Sequence, residues 1–113
     1  MMETLLEYKE DTMIVRLAGE LDQHYASGLR MNIDSQVTHR GIHKIVFDFS
    51  KVGFMDSSGI GVIMGRYRLM QSVGGRVCAF GVNPRLDKLI EMSGIKRIVS
   101  IYADEVSALR KEG

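Results

Sequence analysis

Two neighbouring serines in the middle of the chain, Ser57 and Ser58, are the side chains best placed to do chemistry. The stretch before them, residues 44–49, is rich in β-branched and aromatic residues, as a buried strand is. Turn residues follow at Ser50 and Gly53. After Ser58 the apolar residues recur at helical spacing, at Ile60, Ile63, Met64, Tyr67 and Met70. The serines are therefore predicted to lie where an extended segment becomes a helix.

Such a junction is well suited to accept a negative charge. The first N–H groups of a helix lack internal partners, so an oxygen of Asp56, Ser57 or Ser58 can cap the helix and a phosphate is tolerated there. Phosphorylation adds roughly two negative charges. In a docked interface, like charges cost several kcal/mol, and about 3 kcal/mol is roughly a hundredfold in affinity. The junction can thus serve as a phosphorylation switch, whereas the local pattern alone favours an ordinary capped helix.

Three glycines follow the serines within two helical turns, at Gly59, Gly61 and Gly65. Each costs roughly 0.5 to 1 kcal/mol relative to alanine inside a helix, so something outside the helix must favour them. Gly61 and Gly65 share a face. They either let the helix lie close to the sheet or leave a bare surface on which another protein docks.

The next basic residue after Ser58 is Arg66, two turns further along the predicted helix. A phosphate on Ser58 is therefore expected to be held mainly by backbone N–H groups and not by a local basic clamp. We expect modification to change docking and to leave the fold unchanged.

Residues 56–67, with residues 19–22 and 92–95, resemble the anti-sigma factor antagonists of the STAS domain family, in particular those of spore-forming bacteria. The resemblance covers essentially the whole chain. It implies that the partner anti-sigma factor, which is also a serine kinase, phosphorylates Ser58, the second serine of the pair. The unphosphorylated form then binds the anti-sigma factor and frees the sigma factor, and a separate serine phosphatase restores the hydroxyl. The docking surface implied in this way comprises Asp22, Asp56, Ser57, Gly59, Ile60 and Gly61.

The composition indicates one globular domain, residues 1–113, with 45% hydrophobic and 26% charged residues. A net charge of +1 gives no general attraction to nucleic acid or to an acidic membrane. The apolar stretches fall far short of the roughly 20 residues needed to cross a bilayer, and the start of the chain has no signal-like pattern. The single cysteine, Cys78, is expected to be a buried thiol. These features predict a cytoplasmic protein.

Strand and helix patterns alternate along the chain, after a hairpin formed by residues 5–8 and 13–17 and ending at Gly19. The elements predicted next are a helix from Gln23 to about Thr38 capped by Asp22 and broken by Gly41, a strand at 44–49, the Ser58 helix ending at Gly74-Gly75, a strand at 77–80, a helix opened by Asn83-Pro84 and stopped by Gly94, a strand at 98–102, and a terminal helix from Asp104-Glu105 to Arg110-Lys111. This order predicts an α/β fold, with a mixed, mostly parallel sheet of about four to five strands covered by about four helices. Asp22 and Ser58 are expected at one end of it, because binding sites collect beyond the carboxyl ends of parallel strands.

The chain lacks the residues that common enzymatic motifs require. A nucleophile elbow requires a glycine two positions before the serine, but Met55 and Asp56 stand there. His24, His39 and His43 lack an evident orienting partner. There is no phosphate-binding loop, Gly59-x-Gly61 lacks the third glycine of a dinucleotide site, and one cysteine with scattered histidines gives no metal site. We expect no enzyme, cofactor or metal. The alternatives are a serine hydrolase or a STAS module of another pathway, such as a stress-signalling scaffold or the detached regulatory domain of an anion transporter.

Overall fold

Five strands form one sheet in which the spatial order follows the chain order. The computed structural model describes residues 2–110. Its elements are β1 (Met2–Lys9), β2 (Thr12–Leu21), α1 (Gln23–Arg40), β3 (Lys44–Met55), α2 (Ser57–Ser72), β4 (Arg76–Phe80), α3 (Pro84–Ser93), a 3-10 turn (Ile95–Arg97), β5 (Ser100–Tyr102) and α4 (Glu105–Leu109). β1 pairs with β2 antiparallel, and every later neighbour is parallel. The predicted mixed, mostly parallel sheet with four helices is confirmed.

The two faces of the sheet bury different amounts of apolar side chain. Alternate strand residues such as Met13, Ile45 and Phe47 join the main core with the buried sides of α1, α2 and α3. The opposite face carries a smaller cluster covered by α4, composed of Ile14, Val46, Cys78, Phe80 and Ala108. This split follows from the two-residue period of a strand, which sends successive side chains to opposite faces. Cys78 is buried, as predicted, and its thiol donates to the carbonyl oxygen of Ala108 at 3.6 Å.

The strands that lead to Asp22 and to the serines, β2 and β3, are both longer than predicted. The expected turn at Ser50 and Gly53 is wrong, because β3 continues through both residues to Met55. β2 likewise continues past Gly19, where the predicted strand stopped. The two strands remain paired to their ends through register shifts, and Gly19 has a positive φ of 113° beside one of these irregularities. Gly19 therefore bends the strand and does not end it.

The remaining boundaries agree with the sequence more closely. Asp22 and Asn83 cap α1 and α3, and Gly41 and Gly94 end the same helices in the left-handed conformation, as predicted. The last strand begins at Ser100 and not at Ile98, because at the end of the 3-10 turn the N–H groups of Ile98 and Val99 donate to the carbonyl oxygen of Ile95. α4 ends at Leu109, so the basic end predicted at 110–111 is not helical at Arg110, and Lys111 lies outside the described residues.

Arg16 anchors α4 to the sheet through three carboxylates. Its guanidinium lies 2.8 Å from Glu7, 2.9 Å from Asp48 and 2.7 Å from Glu105. Burial by itself raises the pKa of Asp48, but hydrogen bonds from Ser50 and Arg16 outweigh it, and the pKa lies below its ordinary value. The hydrogen bond from Arg16 lowers the pKa of Glu105 in the same way. Both carboxylates therefore prefer the charged form in the folded protein.

Acid is expected to destabilise the domain through this cluster. Since these pKa values are lower in the folded state, the unfolded chain binds protons first, and stability present at neutral pH is lost as the pH falls below about 5. Urea unfolding at a series of pH values should show a loss smaller by about 1 kcal/mol in Glu105→Gln than in the wild type. Glu3→Gln, an exposed matched change, should behave like the wild type. Equal acid dependence in all three proteins would contradict this role for the cluster.

Candidate functional site

The starts of α1 and α2 lie side by side at the carboxyl ends of β2 and β3. Asp22 caps α1, with its Oδ1 accepting the N–H of His24 at 3.0 Å. Asp56 caps α2, with its Oδ1 accepting the N–H of Ser58 at 2.8 Å, and its Oδ2 accepts the N–H of Gln23 at 3.3 Å. One carboxylate thus joins both helix starts. The structure brings Asp22, Asp56 and Ser58 together at one end of the sheet, as the sequence predicted.

The two serines occupy the first and second positions of α2. Ser57 is exposed, Ser58 is partly exposed, and neither caps the helix, because Asp56 does. Within residues 2–110 the hydroxyl of Ser58 makes no hydrogen bond. No contact that stabilises the helix therefore uses the Ser58 hydroxyl. The local helix does not depend on it.

Gly59 is required by the packing of the helix on the sheet. It is buried, and a Cβ built on it would overlap the side chain of Met55 and lie 3.2 Å from Cδ2 of Leu21. Only glycine lets α2 lie this close to the ends of β2 and β3. Packing therefore explains why residue 59 is a glycine. The predicted contact of Gly59 with a partner stays a prediction, and the burial of Gly59 does not favour it.

Gly61 and Gly65 show the opposite situation. A Cβ on either would meet no atom within 4 Å, and Gly61 is exposed. The fold gives no packing reason for glycine at these two positions, although each costs stability in a helix. Of the two explanations that the sequence left open, the bare docking surface therefore fits Gly61. Ile60, between the two kinds of glycine, is partly buried against the main core.

A shallow groove runs between α1 and α2 and begins at Ser58. Its lining residues are Gln23, Ala26, Ser27 and Arg30 from α1, with Ser58, Gly61 and Val62 from α2. The expectation that a phosphate on Ser58 is held without a local basic clamp stays a prediction. It considered only residues that follow Ser58 in the chain, whereas Arg30 is brought to the groove by the packing of a different helix.

The backbone donors expected to hold a phosphate are largely in use. The N–H of Ser58 is bonded to the side chain of Asp56, and the N–H of Gly59 donates to the carbonyl oxygen of Asp56 at 3.0 Å. The capping carboxylate also puts a negative charge next to the serine. A phosphate on Ser58 would thus find fewer free backbone donors than the sequence suggested.

Arg66, the first basic residue after Ser58 in the chain, is committed to the contact between the two helices. It is only 5% exposed, and its Nε lies 2.8 Å from Oδ1 of Asp34 on α1. Burial lowers the pKa of Arg66, the charge of Asp34 opposes this, and the charge of Arg30 adds to the lowering. Its Nη1 is buried without a hydrogen-bond acceptor. Arg66 is therefore a structural cation and not a free clamp for Ser58.

The described residues do not support a serine hydrolase, a metal site or a membrane-spanning helix. No histidine in residues 2–110 is hydrogen-bonded to Ser57 or Ser58, as a serine hydrolase would require. The same part of the chain contains no cluster of three or more residues able to hold a metal ion. None of its helices is long and apolar enough to cross a membrane.

Comparison with known families assigns this arrangement of strands and helices. The STAS domain matches residues 4–108, which is nearly the whole chain. The chain belongs to the STAS family. The predicted family and the predicted fold are thereby confirmed.

Relatives within the STAS family are named for a regulatory activity. The chain is 43% identical to an anti-sigma F factor antagonist of Paenibacillus polymyxa over 104 residues, which are 92% of this chain and 89% of the relative. It is also similar to the anti-sigma factor antagonist SpoIIAA in its unphosphorylated form, with a TM-score of 0.83 and 30% identity over 93% of this chain and 92% of that one. The phosphorylated form of SpoIIAA from Bacillus gives a TM-score of 0.75 at 30% identity, covering 93% and 96% of the two chains.

Proposed function

We propose that this STAS domain is an anti-sigma factor antagonist controlled by phosphorylation of Ser58. In the unphosphorylated state it binds an anti-sigma factor that is also a serine kinase, and the sigma factor is released. Phosphorylation ends the binding, and a serine phosphatase restores it. The relative named an anti-sigma F factor antagonist supports the proposal, as do the structures of SpoIIAA in its unphosphorylated and phosphorylated forms.

The observation that carries the proposal is the state of the Ser58 hydroxyl. Ser58 is partly exposed at the start of α2, and its hydroxyl makes no hydrogen bond within residues 2–110. The cap of the helix is supplied by Asp56, so a phosphate can be added without removing a contact on which the helix depends. The added charge would then lie beside the Asp56 carboxylate, on the surface that a partner approaches.

The docking surface in this proposal surrounds Ser58 at the paired helix starts. Ser57, Gly61, the partly exposed Ile60 and the two capping carboxylates, Asp22 and Asp56, form it. Each carboxylate is held in place by the helix that it caps, so little side-chain freedom is lost when a partner's donor binds the remaining lone pairs. A new dianion in the middle of this surface repels an acidic partner group and fills the space beside Gly61.

The domain is a substrate in this scheme and not an enzyme. Its partners are the anti-sigma factor kinase and the phosphatase, and no nucleic acid or membrane takes part. A kinase that uses ATP implies the cytoplasm as the compartment where the switch operates.

Incubation with a candidate anti-sigma factor kinase and ATP, followed by peptide mapping, tests this proposal. We expect one phosphate, on Ser58, because the resemblance to anti-sigma factor antagonists implies modification of the second serine of the pair. Neither serine hydroxyl is hydrogen-bonded within residues 2–110, so the mapping must distinguish the two. Ser58→Ala should take up none, whereas Ser57→Ala should be modified as the wild type is. Phosphate on Ser57, or on a residue distant from the start of α2, would contradict the proposal. Labelling of Ser58 by a fluorophosphonate probe would instead indicate a hydrolase.

A further inference from the structure

We propose that Arg30 of α1 is the basic group that holds the phosphoryl group of phosphorylated Ser58. The inference rests on the proposed function, because it takes Ser58 as the modified residue. It assigns to the groove between α1 and α2 a phosphate-binding role in the modified state. Three features of the helix pair support it.

The first feature is the register of the two helices. α1 and α2 run in the same direction, and two contacts fix their alignment: Gln23 with Asp56 near the start and Asp34 with Arg66 further along. The paired residues differ by 33 and 32 positions, so Arg30 is level with residues 62 and 63. Ser58 then lies about one turn nearer the start of α2, which is roughly 6 Å of helix rise.

The direction of helical side chains brings the guanidinium of Arg30 closer to the level of Ser58. Side chains lean toward the N-terminus of their own helix, so the side chain of Arg30 extends back toward the level of Ser58. The lining of the groove agrees with this geometry, because Arg30 and Ser58 both border it and no larger side chain than Val62 contributes from α2. The exposed Gly61 leaves the path between them open.

The second feature is charge. Arg30 is exposed and makes no ion pair within residues 2–110, while its charge acts unfavourably on Arg66. Asp34 pairs with Arg66, so Arg30 lines the groove without a carboxylate partner in residues 2–110. A phosphate dianion on Ser58 would supply that partner against the repulsion of the Asp56 carboxylate, and a guanidinium binds phosphate oxygens with well-matched geometry.

The third feature is the shortage of other donors. The N–H groups of Ser58 and Gly59 are both bonded to Asp56, and Arg66 is buried against Asp34. Among the cations of the described chain, Arg30 is the one that lines the same groove as the serine. A phosphate held by Arg30 is drawn over Gly61 and therefore covers the bare surface on which we place the partner. Binding of the phosphate to its own domain and loss of the docking surface become one event.

The test measures the second ionisation of the phosphate itself. Phosphoserine is incorporated at position 58 by genetic code expansion, so no kinase is needed and the result does not depend on the natural modification reaction. The phosphorus NMR signal is then followed during a pH titration at low ionic strength, for the full chain, for Arg30→Gln and for Arg68→Gln. Arg68 is an exposed arginine of α2 that does not line the groove.

A free phosphoserine has a second pKa near 6, according to the general behaviour of such groups, and a nearby guanidinium lowers it. We expect Arg30→Gln to raise the value by about half a unit or more relative to the wild type, and Arg68→Gln to leave it unchanged. Arg30→Lys should restore part of the shift. The helix start and Asp56 act equally in all these proteins, so they cancel in the comparison. Identical titrations of the wild type and Arg30→Gln would overturn the inference, even where peptide mapping has confirmed Ser58 as the modified residue.

Discussion

Replacing Ser58 by aspartate is expected to weaken binding to the anti-sigma factor by about tenfold or more, equivalent to roughly 1.4 kcal/mol. The substitution places a fixed negative charge on the proposed docking surface beside Asp56, which caps the same helix. The effect should be smaller than that of true phosphorylation, since a carboxylate has one charge and a phosphate about two. Calorimetric titration of the purified partners measures both constants.

Three controls separate charge from damage to the helix. Ser58→Ala removes a hydroxyl that has no hydrogen bond within residues 2–110, so it should bind as tightly as the wild type and resist inactivation by the kinase. Ser58→Asn matches aspartate in size without the charge and should retain most of the affinity. Thermal unfolding should be similar for all variants, because Asp56 remains as the cap. Equally tight binding by Ser58→Asp and Ser58→Asn would contradict the repulsion argument.

Alanine substitutions at Gly59 and Gly61 are expected to change stability in opposite directions. At Gly59 the new methyl group overlaps Met55 and approaches Leu21, so Gly59→Ala should lower the free energy of unfolding by about 1 to 3 kcal/mol. At Gly61 it enters open space on a helix, so Gly61→Ala should raise the free energy of unfolding by about 0.5 to 1 kcal/mol. Urea denaturation of the three proteins measures both changes. A loss of stability in Gly61→Ala would show that packing, after all, requires that glycine.

The Gly61→Ala variant, compared with Gly65→Ala, also separates folding from docking. Gly61→Ala should bind the anti-sigma factor more weakly than the wild type while being more stable, because the methyl group stands on the bare surface beside Ser58. Gly65→Ala is the matched control, since it also faces open space but lies a further turn from the serine. Unchanged affinity in Gly61→Ala would remove this glycine from the docking surface.

The parts of the fold that local patterns determine could be predicted from the sequence. Asp22, Asn83, Gly41 and Gly94 each act through their own backbone and nearby N–H or carbonyl groups, so the helix limits were recognisable. The far end of β3 was not, because Ser50 and Gly53 have the composition of a turn. Pairing with β2 keeps this segment extended, and pairing between distant strands does not appear in a local pattern.

Some features of the candidate site were likewise predictable from local sequence, and others depended on the packing of distant segments. The position of Ser58 at a helix start was recognisable because a capping residue and hydroxyls before an apolar run at helical spacing form a contiguous pattern. The groove with Arg30 was not recognisable, since it depends on which faces of α1 and α2 pack together. The double role of Asp56, which accepts from both Ser58 and Gln23, depends on the same packing. The different roles of Gly59 and Gly61 also required the positions of neighbouring atoms.

A phosphate on Ser58 is expected to change which partner can dock without changing the fold. Amide NMR spectra of the isotope-labelled domain, recorded with serine and with phosphoserine at position 58, distinguish a local from a global effect. We expect chemical-shift changes confined to residues 56–62 and to the part of α1 that borders the groove, with the sheet and α3 unaffected. Widespread changes across β4, β5 or α3 would contradict it, because the switch would then act by rearranging the domain.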